Sequence, residues 1–165
     1  MFRIDSIEAS SWMVLRNLRL AALKESPEWF AGNFADESKK DQQAWVELVE
    51  HDSWFALYDN ESPIGVMAIS SRDTGRGTDC WLYSCWIAPE YRGQGLLRLM
   101  IEKLDEQSRA HGWKIQGLGV WPHNLIAVEA YQQMGFVKSG EPKPSRFRAG
   151  QLYQLMRRDF PHDQM

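Results

Sequence analysis

The sequence predicts an α/β fold in a single domain, and three observations predict it. At 81–108 an apolar, aromatic run from Trp81 to Ile87 is stopped by Pro89, and the apolar period then changes: Leu97, Met100, Ile101 and Leu104 fall at i, i+3, i+4 and i+7, one face of an amphipathic helix. Two apolar runs, 54–58 and 64–70, flank the turn residues Asp59, Asn60, Glu61, Ser62 and Pro63, which reads as an antiparallel hairpin. A second strand-to-helix unit follows at 115–134, its strand ended by Pro122 and its helix by Gly135.

The elements follow in chain order. Residues 2–4 suit a short first strand. Ser10 or Ser11 suits the cap of a helix starting near Trp12, with Leu15, Leu18, Ala22 and Leu23 on its apolar face, Arg16 and Arg19 on its polar side, and Ser26-Pro27 as its end. An irregular aromatic segment, 28–34, precedes a second helix over about 36–50. Trp45, Leu48 and Val49 lie on one side of it; Asp36, Glu37, Asp41, Glu47 and Glu50 read as a solvated face. After the hairpin and a polar loop at 72–79, the strand at 80–87 is apolar on both faces, which suits a central position covered on both sides. The long helix stops at His111-Gly112. The strand at 115–121 carries Gly117 and Gly119 on one face, leaving room for something to lie against it; the alternatives are a kink or close helix packing. After the helix at 124–134 come a short strand at 136–139, a loop at 141–150 and a last strand at 152–156.

With 165 residues the chain can build one proper core. A net charge of −3 argues against a nucleic-acid surface. No apolar run reaches the ~18 residues of a membrane span, and the N-terminus lacks the apolar stretch of a signal peptide; the expected compartment is the cytoplasm. Cys80 and Cys85 on one strand point to opposite faces roughly 16 Å apart, so no disulfide joins them. Neither has a partner at metal-ligand spacing, and no metal site is expected. Both read as small strand residues, with a catalytic thiol at Cys85 the lesser alternative.

The turn after the strand at 80–87 carries the chemistry. A helix's first N–H groups have no intrahelical partner, and its dipole adds positive potential there. Gly93 and Gly95 let a bulky anion approach, so Gly93, Gln94, Gly95, Leu96 and Leu97, with Arg92, form a candidate phosphate or pyrophosphate site. A P-loop would need Lys-Ser or Lys-Thr after the last Gly, and a dinucleotide fingerprint a third Gly; neither is present. A plain tight turn with a surface arginine is the alternative.

A second stretch adds Asn124, Ala127, Tyr131, Gly135 and Phe136 at the spacing Asn-x-x-Ala-x-x-x-Tyr-x-x-x-Gly-Phe. With Arg92-x-x-Gly95, this resembles the GNAT family of acyl-CoA-dependent N-acyltransferases, most sharply over 64–136. The chain departs from the family pattern at Leu97, where Gly or Ala is usual. The resemblance implies a mixed, largely antiparallel central sheet flanked by helices and splayed between strands 4 and 5. It implies acetyl-CoA as co-substrate, and a primary amine of a small molecule or peptide as acceptor, attacked directly in a ternary complex. The amides of residues 93–97 would hold the phosphates. The strand edge at Trp86 and Ile87 would bond the pantetheine arm, with Asn124 and Ala127 near it. Asn124 also suits a helix N-cap. Tyr131, a phenol with a pKa near ~10, would protonate the leaving thiolate; a core tyrosine is the alternative. Trp29, Phe30, Phe34 and Tyr83 are acceptor-pocket candidates. The base stays open: 80–87 holds no acid, Asp79, Glu141 and His123 are titratable, and Tyr83 or Ser84 could relay a proton only through water. A non-catalytic acyl-CoA-binding module is the competing function, and a homodimer is left open.

Overall fold

The computed structural model describes residues 1–72 and 75–160. Its strands are β1 (Phe2–Ser6), β2 (Ser53–Asp59), β3 (Ser62–Ser70), β4 (Cys80–Ile87), β5 (Ile115–Val120), β6 (Val137–Lys138), β7 (Lys143–Pro144) and β8 (Leu152–Asp159). The helices are α1 (Trp12–Glu25), α2 (Phe34–Glu37), α3 (Gln42–His51), α4 (Leu96–His111) and α5 (Leu125–Gln133). The sheet path is β1-β2-β3-β4-β5-β8-β6, with β7 on β8. β4 and β5 pair in parallel, whereas β1–β2, β2–β3, β5–β8, β6–β8 and β7–β8 are antiparallel. The parallel ladder covers only Cys80–Leu82 against Gln116–Leu118; beyond it β4 runs on to Ile87 and β5 to Val120. This is the expected mixed α/β sheet, parted between its fourth and fifth strands.

The chain forms two compact units. One comprises Met1–Ile69 and Ser84–Met100; the other takes Ser70–Tyr83 and the chain from Ile101 onward. In the first, α1 packs on α3, and Leu15, Leu23, Trp45, Leu57, Met67 and Met100 are fully enclosed. In the second, Leu104, Leu118, Phe136 and Met156 are the enclosed apolar centre. Among the described residues no helix is long and apolar enough to cross a membrane.

Several expectations are corrected. The helix expected over 36–50 is two helices. Asn33 caps α2, its Oδ1 accepting from the Asp36 amide at 2.8 Å, and Asp41 caps α3 by accepting from the Ala44 amide at 2.9 Å. Each cap starts a new helix and interrupts the run. Ser11 stands at the start of α1, but its side chain makes no capping bond; a 3-10 turn, Ala9–Ser11, leads in instead. β4 is central in the sheet order, as expected, but the strand covered on both faces is β3, buried throughout Ile64–Ser70, whereas Trp81, Tyr83, Ser84, Cys85 and Ile87 of β4 are only half-buried. Gly117 and Gly119 leave no groove: a Cβ on Gly117 would meet Thr78 at 2.5 Å, and one on Gly119 would meet Tyr153 at 3.1 Å and Trp81 at 3.2 Å. The polar loop at 72–79 lies partly outside the described residues, at positions 73 and 74.

Candidate functional site

In the first unit β4 ends where the Ala88 amide donates to the Ile64 carbonyl at 2.8 Å, the last tie to β3. A 3-10 turn, Pro89–Tyr91, then lifts the chain into residues 92–95. Gly93 and Gly95 have φ of 78° and 77°, in the region that costs other residues roughly 1–2 kcal/mol. A Cβ on either would meet nothing within 4 Å, so the space above the loop is open. α4 begins directly after, at Leu96. Among the described residues the backbone N–H groups from Gly93 to Leu97 have no acceptor within the chain. Five successive exposed or terminal amides at a sixteen-residue helix's start suit a polyanion.

Arg92 is engaged elsewhere than expected. Its Nε donates to the Ile87 carbonyl at 2.9 Å and its Nη2 to Glu25 Oε1 at 2.7 Å. The same Glu25 oxygen accepts from the Trp86 indole at 3.0 Å and from the Ser26 hydroxyl. Glu25 thus ties the end of α1 to the end of β4 and to the loop arginine. The Arg92 charge is partly neutralised by this pair, and the Ile87 carbonyl accepts one bond from the same side chain. Gln94 turns back too, its Nε2 donating to the Glu90 carbonyl at 3.4 Å.

Burial alone raises the Glu25 carboxyl, but hydrogen bonds from Ser26, Trp86 and Arg92 outweigh it and hold the pKa below the usual 4.5. Because the folded value is the lower one, the carboxylate's contribution to stability is complete above the unfolded value and is lost as pH falls through the folded one. Thermal melts from neutral pH down to about pH 3 are expected to show a smaller acid-induced loss for Glu25→Gln than for wild type. Equal losses would assign the acid sensitivity to other groups.

Around the aromatic segment, Phe30 is buried, Trp29 half-buried and Phe34 exposed. The Arg19 guanidinium lies 5.5 Å from the Phe30 ring centroid. Arg19 and Glu37, read from sequence as polar-face residues, form a buried fork: Nε to Oε1 at 2.9 Å and Nη2 to Oε2 at 3.1 Å, with both side chains under 15% exposed (14% and 11%). Arg19 Nη1 also donates to Ser84 Oγ at 3.1 Å. Ser84 has φ of 53°, unusual for a residue inside a strand. The ion pair thereby joins α1 and α2 to the one left-handed residue of β4. Gly32 packs against it, since a Cβ there would stand 1.8 Å from Glu37 Oε2 and 3.1 Å from Arg19 Nη2. Gly32→Ala is expected to lower the unfolding free energy by about 2 kcal/mol, read from chemical denaturation; an unchanged midpoint would show the pair free to shift.

In the second unit Asn124 is the N-cap of α5, its Oδ1 accepting from the Ala127 amide at 3.3 Å. Its Nδ2 makes no bond to any described residue, so the side chain keeps donors for a carbonyl. Tyr131 lies two turns along the same helix, half-buried, its ring edge-on to Phe136 at 5.9 Å. Ala127 is half-buried between them in sequence. Asp79 is taken out of the list of bases by a structural role: its Oδ2 accepts from the Lys114 and Ile115 amides at 2.7 and 2.9 Å. His123 and Glu141 are exposed, and Tyr83 is half-buried. Neither cysteine is in a disulfide. Burial pushes the Cys80 thiol up to about 12, which rules it out as a thiolate; Cys85 Sγ contacts Met100 Sδ at 3.5 Å.

The comparisons with known proteins bear on the fold and the family. The profile of the Acetyltransferase (GNAT) family matches residues 19–136. An uncharacterized N-acetyltransferase, YdgE, from Bacillus subtilis is 28% identical over 105 residues, 59% of this chain and 67% of YdgE. Two solved structures share the fold. One is yncA, a putative acetyltransferase from Salmonella typhimurium with its cofactor acetyl-CoA (TM-score 0.75, 13% identity, 98% of this chain and 95% of that one). The other is spermidine N-acetyltransferase from Vibrio cholerae in complex with CoA and spermine (TM-score 0.74, 18% identity, 96% of this chain and 95% of that one). This family uses acetyl-CoA, with which the yncA structure was solved. The chain belongs to the GNAT acetyltransferase family.

Proposed function

We propose that the protein transfers an acetyl group from acetyl-CoA to a primary amine of a small molecule or peptide, by direct attack in a ternary complex. The observation that carries this reading is the run of unpaired amides from Gly93 to Leu97 at the start of α4. Those amides would hold the diphosphate. Asn124 Nδ2 would donate to a carbonyl of the pantetheine arm while its Oδ1 keeps α5 capped. The bound thioester supplies an activated acetyl group. Tyr131 would give its phenolic proton to the sulfur as the carbon–sulfur bond breaks; the amine loses its proton to water, and water returns one to the phenolate. Release of free CoA thiol in the presence of acetyl-CoA and a panel of monoamines, diamines and peptides is expected for at least one acceptor, with the acetylated product seen by mass spectrometry. Micromolar binding of acetyl-CoA with no product from any amine would replace this reading with a non-catalytic acyl-CoA-binding protein.

A further inference from the structure

One face of the second unit carries an aromatic pair with a cation on it. The rings of Trp81, in β4, and Tyr153, in β8, meet edge to face at 6.4 Å and 88°. They close over Gly119 of β5, where any side chain would push both rings away. Arg76 lies above them. Its Cζ is 4.0 Å from the Trp81 centroid and 5.5 Å from that of Tyr153, and its Nε donates to Tyr153 Oη at 3.3 Å. No carboxylate among the described residues pairs with Arg76. Gly75 and Gly77 on either side both take left-handed φ, 71° and 74°, so the bend that carries Arg76 back over the sheet is made by its two neighbours. Arg76, Trp81 and Tyr153 all remain half-exposed.

A guanidinium over an indole face is attracted by the ring quadrupole, more weakly than by a carboxylate fork. Such an occupant is exchangeable with any organic cation that can lie on the same rings. We propose that the Trp81–Tyr153 pair is a subsite for an alkylguanidinium or alkylammonium group, and that Arg76 is its own-chain surrogate. Resting on the acetyl-transfer reading, the ligand is a second positive charge of the acceptor, separate from the amine that is acetylated. The protein therefore prefers dications to monoamines.

Binding of butylguanidinium, measured by calorimetry, tests the subsite without any turnover. Arg76→Ala is expected to bind it about 2- to 30-fold tighter than wild type, the span of a cation–π contact. The neutral analogue butylurea is expected to bind neither protein comparably. Adding Trp81→Phe to Arg76→Ala keeps a ring in place with a weaker quadrupole and is expected to lose several-fold in affinity. An Arg76→Ala protein that binds butylguanidinium no tighter than wild type, or binds butylurea equally, overturns the proposal. Turnover is read separately, comparing KM for 4-aminobutylguanidine and for butylamine. A lower KM for the dication, narrowed by Trp81→Phe, supports the acceptor role. Cation binding with no acetylation of any amine would overturn that role and the acetyl-transfer reading together. A protein that acetylates monoamines but does not bind butylguanidinium would lose the subsite alone.

Discussion

Gly95→Glu is expected to weaken acetyl-CoA binding by at least about 100-fold, which is roughly 2.7 kcal/mol, while the protein stays folded. Two effects combine. Gly95 has φ of 77°, so any side chain there costs roughly 1–2 kcal/mol of backbone strain, which a domain of ordinary stability survives. The Cβ itself would meet nothing within 4 Å, so the new side chain projects into the open space above the loop. There it sets a carboxylate against the diphosphate and covers the amides from Gly93 to Leu97. Hydrogen bonds to charged groups contribute about 1.5–3 kcal/mol each, so losing two already exceeds the predicted effect. Gly95→Ala separates the causes: it carries the strain without the charge or the reach. It should lower stability by about 1 kcal/mol and change affinity by less than about tenfold. Calorimetry on the three proteins decides. Wild-type affinity in the Glu variant would remove residues 93–97 from the cofactor site.

The parts of this protein that were legible in its sequence are those written in local signals. Pro89 and the period change after Gly95 mark the end of β4 and the start of α4, because a missing donor and a 3.6-residue apolar stripe are properties of the chain itself. Asn124 announces both a cap and a motif. Three features were not legible. Glu37 looks like one more acid on a polar helix, and its burial depends on Arg19, eighteen positions earlier. The break between α2 and α3 hides in a polar stretch where Asn33 and Asp41 look like ordinary surface residues. The bond from Arg92 to Glu25, at the far end of α1, gives no sign of itself in the sequence either. Each miss is a long-range electrostatic pairing or a cap, for which hydrophobic periodicity carries no signal. The same holds for the glycines of β5, bare to admit Thr78, Trp81 and Tyr153 and not a ligand.

Tyr131→Phe is expected to lower kcat by about 100-fold and to leave KM for acetyl-CoA within about threefold. The size follows from the proton's two possible owners. A phenol near pKa 10 and an alkyl thiol near 8.5 differ by about 1.5 units, so complete transfer to the thiolate is uphill by about 2 kcal/mol. The phenol therefore works by donating to the sulfur as charge develops there, at the lower end of the range for general acids. The substitution removes one oxygen and keeps the ring, so the edge contact with Phe136 at 5.9 Å survives and the fold should lose little. A tyrosine that only fills the core would show a comparably small change in stability but an unchanged kcat. Full kcat in Tyr131→Phe would hand the acid's role to another group.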